Sequence, residues 1–163
     1  MAEHRHDHTH DHPHDALAAA QAHCARKGLR LTETRQHVFE TLAKSPQAMG
    51  AYDLIDALAN LGHKRLAPVS VYRALDFLLE AGLAHKIESR NAFVACPHQH
   101  GVDEVVVFMI CEQCGRVQEA TSDAVAKAMA SVARGMRFLP RGQVIEMHGR
   151  CAGCSDPGTV MTA

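Results

Sequence analysis

Four of the six cysteines in this 163-residue chain fall in two CxxC pairs, Cys111/Cys114 and Cys151/Cys154. Two close pairs of thiolates brought together by a fold are the ligand set of a closed tetrahedral zinc site. Gly115 after the first pair and Ala152-Gly153 inside the second let the backbone turn tightly around an ion. Any fold for this chain must therefore deliver two distant segments to one point. A pair of dithiols or disulfides, or isolated buried thiols, are the competing readings. The polar, His- and Asp-rich N-terminus carries no secretory signal, and the longest apolar run, Val105 to Ile110, is too short to span a bilayer. A reducing cytoplasm is the expected location, and there CxxC pairs favour metal.

The net charge of −1 conceals an asymmetry. Residues 1–15 carry −3, residues 16–91 carry +3 and residues 92–163 carry −1, so only the middle segment offers an anion-facing surface. The first 15 residues place His at 4, 6, 8, 10, 12 and 14, interspersed with Asp. Such a tail cannot bury apolar area and is expected to be disordered. Its composition suits weak zinc capture as well as a solvated tail with no required role.

Helical periodicity begins at Ala16 with Leu17, Ala20 and Cys24, and Gly28 ends that helix. Thr32 is the expected N-cap of a second helix bearing Val38, Phe39 and Leu42, broken at Ser45-Pro46. A third, about Ala51 to Leu61, carries Leu54, Ile55, Leu58 and Leu61. Pro68 opens a fourth, about Val69 to Ala81, with Val71, Leu75, Leu78 and Leu79 inward and Gly82 as its stop. Leu83–Glu88 and Ala92–Cys96 read as a β-hairpin. Helices followed by a hairpin predict a winged helix-turn-helix over 16–90.

Beyond Pro97 the pattern changes to a strand at Val105–Ile110, a partner strand at Arg116–Ala120, a helix from Ser122 to about Arg134 and a strand at Gln143–Met147. The helix carries Val125, Met129 and Val132 as its apolar stripe. The expected class is α+β: a winged helix followed over 91–157 by a small α/β domain tied by four cysteines, with a flexible end at 158–163.

The fourth helix opens Val69-Ser70-Val71-Tyr72-Arg73. With Val71 and Leu75 inward, Ser70 and Arg73 face outward and Tyr72 flanks them, the arrangement that reads base edges in a major groove. Lys64, Arg65, Lys86 and Arg90 lie where phosphate contacts are expected. Tyr72 in the core and Arg73 in a surface ion pair is the plainer alternative. At the junction, His85, Cys96, His98, His100, Glu104 and Glu119 form a mixed S/N/O donor set that favours zinc over iron or manganese. An ion held from both domains fixes their relative orientation, so this site reads as regulatory and the four-cysteine site as structural.

RLTETR (30–35), AYDLIDAL (51–58), PVSVYRALDFLLEAGLAHKIES (68–89), FVAC (93–96), FMICEQCGRVQE (108–119) and VIEMHGRCAGC (144–154) together resemble the ferric uptake regulator family, in its zinc-sensing branch. The resemblance implies a homodimer, joined through the second domain, that binds operator DNA when zinc-loaded and represses zinc-uptake genes. It also places Tyr52, Tyr72 and Arg73 on DNA-contact positions, and His85, Cys96 and Glu119 on regulatory-zinc positions. The remaining ligand in such proteins is usually a His seven residues before the first CxxC cysteine. That position is Glu104 here, which leaves Glu104, favoured by position, and His100, favoured by chemistry, both open, with His98 behind them. His148 reads as structural.

An iron or peroxide sensor of the same family is the nearest alternative, and Cys96 argues against it. A zinc-buffering protein accounts for the tail and leaves the Tyr72-Arg73 helix unexplained. An enzyme is not expected. A zinc deaminase needs an HxE motif and a proline before its CxxC, whereas Ile110 and Arg150 precede the pairs. A thioredoxin-like oxidoreductase needs a βαβ context.

Overall fold

The computed structural model describes residues 13–63, 66–96, 105–140 and 144–155. The first twelve residues, Lys64, Arg65, the segment with His98, His100 and Glu104, and residues 156–163 lie outside the described residues. Four helices come first: α1 (Pro13–Arg26), α2 (Glu33–Lys44), α3 (Ala51–Asn60) and α4 (Pro68–Ala81). The hairpin strands β1 (Ala84–Ile87) and β2 (Ala92–Ala95) follow, then β3 (Val106–Cys111), β4 (Val117–Thr121), α5 (Asp123–Gly135) and β5 (Val144–Gly149). Helix α1 opens three residues before its apolar periodicity, with Pro13 in the first turn, where a missing N–H removes no helical bond.

The apolar faces of the first helices converge on one core. Phe39, Leu42, Leu54, Leu58, Val71, Leu75 and Leu78 are almost wholly buried there. Each such side chain stabilises the fold by about 1.5–3 kcal/mol relative to exposure. One expectation fails locally. Leu61 is exposed, because α3 ends one residue earlier and leaves it at the C-cap. Thr32 occupies the N-cap of α2 without a side-chain capping bond.

Strands β1 and β2 pair antiparallel, joined by a short 3-10 turn at Glu88–Arg90. Met49 and Phe93 exchange backbone hydrogen bonds of 2.9 and 2.8 Å, so the α2–α3 connection forms a third edge of the wing. The second sheet has the order β4-β3-β5, with β3 antiparallel to β4 and parallel to β5. Its apolar face packs on the wing: Ile87 and Val94 join Val106, Phe108, Ile110 and Val117 in a second cluster. Helix α5 is properly capped by Ser122, yet none of its residues is buried, and Met129 and Val132 face outward. Among the described residues, no helix is long and apolar enough to cross a membrane.

Candidate metal centres

Parallel pairing of β3 with β5 brings the two CxxC pairs together. Cys111 lies opposite Gly149, so both strands end at the same edge and each turns directly into its cysteine loop. Gly115, with φ of +74°, closes the first loop in a left-handed conformation that favours glycine. One ligand atom from each of Cys111, Cys114, Cys151 and Cys154 lies within 4.8 Å of the others. The Cys114 and Cys151 sulfurs are 3.7 Å apart. A disulfide requires about 2.05 Å, whereas two sulfurs at about 2.3 Å from one tetrahedral zinc lie about 3.8 Å apart. The geometry fits zinc.

The ionisation of these thiols points the same way. The Cys111 thiol is brought down to about 6 by the backbone N–H of Cys114, then by those of Cys151 and Gln113, against the opposing effect of burial. The Cys154 thiol is pushed up to about 12 by hydrogen bonding with Cys151, then Cys114, with burial and Cys111 adding to the effect. The cluster thus accommodates one negative charge easily and resists another. A divalent cation removes that conflict. Cys24 takes no part: it sits in the core of the first unit, where burial pushes its thiol up.

A second cluster lies between the wing and the second sheet. One donor atom each from His85 on β1, Cys96 just after β2 and Glu119 on β4 fall within 4.8 Å of one another. The Cys96 N–H donates to Leu83 O at 2.9 Å, which fixes the thiol beside the root of β1. The His85 ring lies 5.1 Å from that of Phe108. Donors sharing one zinc stand about 3–4 Å apart, so this nitrogen, sulfur and oxygen set fits a single ion after small rotamer changes. Sequence reasoning brought these three residues together, and the candidates for a fourth donor lie outside the described residues.

On α4, Val71 and Leu75 are fully buried while Arg73 is exposed and Tyr72 is 42% exposed. Ser70 is half-buried, and Tyr52, in the first turn of α3, is 67% exposed. Lys86 pairs with Glu88 at 2.7 Å. Arg90 turns back from the wing, its Nη2 donating to Cys111 O at 3.3 Å. Gln47 Nε2 donates to Cys114 O at 2.6 Å, and Glu146 accepts from the wing-turn N–H groups of Glu88 and Ser89 at 2.7 and 3.3 Å. None of these three long-range contacts was foreseen. Burial alone would raise the Glu146 carboxyl, but hydrogen bonds from Ser89 and Glu88, with His148 nearby, hold it below the usual carboxylate range.

A winged helix followed by a small sheet, with a four-thiol cluster in that sheet and a His/Cys/Glu cluster where the two meet, defines a class of metal-ligating winged-helix proteins. Within that class the assignment is specific. The model of the Ferric uptake regulator family matches residues 26–148, and the chain belongs to that family. It is 41% identical over 138 residues to the zinc uptake regulation protein of Escherichia coli K12, covering 85% of this chain and 80% of that one. A solved structure of a zinc uptake regulator complexed with zinc and DNA superposes with a TM-score of 0.79 at 38% identity, over 88% of this chain and 95% of the other. The holo form of XcZur gives 0.74 at 39% identity, over 85% and 95% of the two chains. Its apo form gives 0.50 at 37% identity, over 87% and 97%.

Proposed function

We propose that this chain is a zinc-responsive transcriptional repressor that binds operator DNA as a homodimer in the cytoplasm and controls zinc-uptake genes. The observation that carries the reading is the convergence of His85, Cys96 and Glu119 across the junction between wing and second sheet. These three residues hold the regulatory ion, with Glu104, His100 or His98 supplying the fourth donor. Cys111, Cys114, Cys151 and Cys154 hold a second, structural ion, giving two per subunit. Zinc bound at either place would be held by these side chains, and the Cys96 thiolate would favour it over harder ions.

The reading head is the outer face of α4. Arg73, Tyr72, Ser70 and Tyr52 contact the DNA, and Lys64, Arg65 and Lys86 serve its phosphates, whereas Arg90 is engaged with Cys111 O. The relative solved with zinc and DNA supports this assignment. The better superposition on holo than on apo XcZur, at nearly equal identity, supports a metal-loaded arrangement of the chain. Support for a homodimer comes from the second unit. Strand β5 is a sheet edge, and Met129, Val132, Met136, Phe138 and Val144 line an open apolar groove of about 530 Å³. Apolar faces of that kind mark protein interfaces.

A zinc-titrated footprint on the promoter of a zinc-transporter gene tests the proposal. Protection should appear with zinc and weaken steeply with added salt. A tighter response to ferrous iron would move the chain to the iron-sensing branch. Zinc uptake without any footprint would make it a buffer.

A further inference from the structure

Glu119, Phe108 and Glu146 form one row across the second sheet: Phe108 is in register with Glu119 on β4 and with Glu146 on β5. Residues in register on neighbouring strands project to the same face. Here that face meets the wing. Glu119 approaches His85 and Cys96 at the root of the hairpin, and Phe108 packs beside the His85 ring. Glu146 receives the N–H groups of Glu88 and Ser89 at the hairpin's turn. The dimensions agree. From His85 to Glu88 is three residues of strand, about 10 Å, and two strand spacings across the sheet are also about 10 Å.

The wing therefore lies along the row and is gripped at both ends. We infer that Glu146 is a positioning residue for DNA binding, closing the turn end of a clamp whose root end is the His85/Cys96/Glu119 site. The inference rests on the zinc-responsive repressor reading. A carboxylate accepting two backbone N–H bonds makes strong, charge-assisted contacts, and the Glu146 side chain is only 14% exposed. With the turn held, the donors at the root start within 4.8 Å of one another, close to the spacing an ion needs. Loss of the carboxylate leaves the turn end of the hairpin held only by the Arg90–Cys111 O bond and the apolar cluster, a looser seat from which it can pivot about Phe108. Operator affinity and zinc affinity at the junction then fall together, because both ligands favour the same held arrangement of the wing.

The test uses the full-length, zinc-loaded dimer, with Glu146→Ala and Glu146→Gln beside the wild type. Hydrogen exchange at the Glu88 and Ser89 amides, zinc binding and affinity for the footprinted promoter fragment are measured on each. Both amides should be protected in the wild type and exposed in Glu146→Ala, with Glu146→Gln between. Operator affinity of Glu146→Ala should fall by about 5- to 150-fold, and its junction zinc should bind more weakly while the four-thiol ion is kept. A purely structural role for Glu146 would not single out the junction ion. Wild-type operator affinity with unchanged amide protection in Glu146→Ala overturns the inference alone. Should that variant misfold, freely exchanging Glu88 and Ser89 amides in the wild type still overturn it. A wild-type protein with no zinc-dependent footprint overturns the repressor reading and this role with it.

Discussion

The pair Cys111 and Cys154 shows how a fold divides labour among chemically identical side chains. Above pH of about 6 the Cys111 thiol is already ionised in the folded, metal-free cluster, so zinc displaces no proton from it. Below that pH it must give one up. Cys154, pushed up to about 12, gives one up throughout the working range. Calorimetry in buffers of different ionisation enthalpy should therefore find one more proton released per zinc below pH 6 than above it. Apparent affinity at the four-thiol site should then fall more steeply with acid by about tenfold per pH unit. A proton count that stays constant across pH 6 contradicts this. At Arg73 the expectation is different in kind. Its guanidinium stands exposed on α4, far from the thiols in sequence, so Arg73→Ala should lose about 1–3 kcal/mol of base discrimination at a guanine. Zinc content should not change, and a wild-type footprint from that variant would remove α4 as the reading element.

At the scale of elements, α4 was legible because its signals agree. Pro68 starts it, Val71, Leu75 and Leu78 recur at helical spacing, and Gly82 ends it with φ of +72°. Nothing lies within 4 Å of a Cβ built on Gly82, so Gly82→Ala tests conformation alone. It should destabilise the winged helix by about 1 kcal/mol, the left-handed penalty outweighing the entropy removed from the unfolded chain. Gly135, the last residue of α5, also has open space but lies outside the left-handed region. Gly135→Ala should stabilise by about 0.5–1 kcal/mol. The chain has no Trp and its only tyrosines are Tyr52 and Tyr72, so tyrosine emission during urea unfolding reports on the first unit. Far-UV dichroism is needed for α5. That helix was legible in extent but not in packing: periodicity identifies an apolar stripe and is silent on what covers it. The contacts of Gln47, Arg90 and Glu146 were beyond sequence reasoning for a related reason. Each joins residues 21 to 67 positions apart through backbone atoms, which carry no residue-type signal.

On the scale of the whole molecule, the two clusters are placed for different work. The four thiols join strands of one sheet, so an ion there ties the second unit to itself. The His85/Cys96/Glu119 set joins the wing to that sheet, so an ion there acts on the angle between them. Cys96→Ser separates the two. Serine nearly preserves the volume at this buried position and leaves the backbone bond to Leu83 O in place, while removing the thiolate. The variant should keep one zinc per subunit, unfold close to the wild type and lose the zinc dependence of operator binding. The regulatory coupling at stake is about 1–3 kcal/mol, small beside the binding energy of a structural zinc. Small-angle scattering adds the matching readout of shape. The wild-type radius of gyration should change when the junction ion is removed under conditions that spare the four-thiol ion, and that of Cys96→Ser should not. A variant that keeps the full zinc response would place regulation at the thiols instead, where geometry gives an ion no direct hold on the wing.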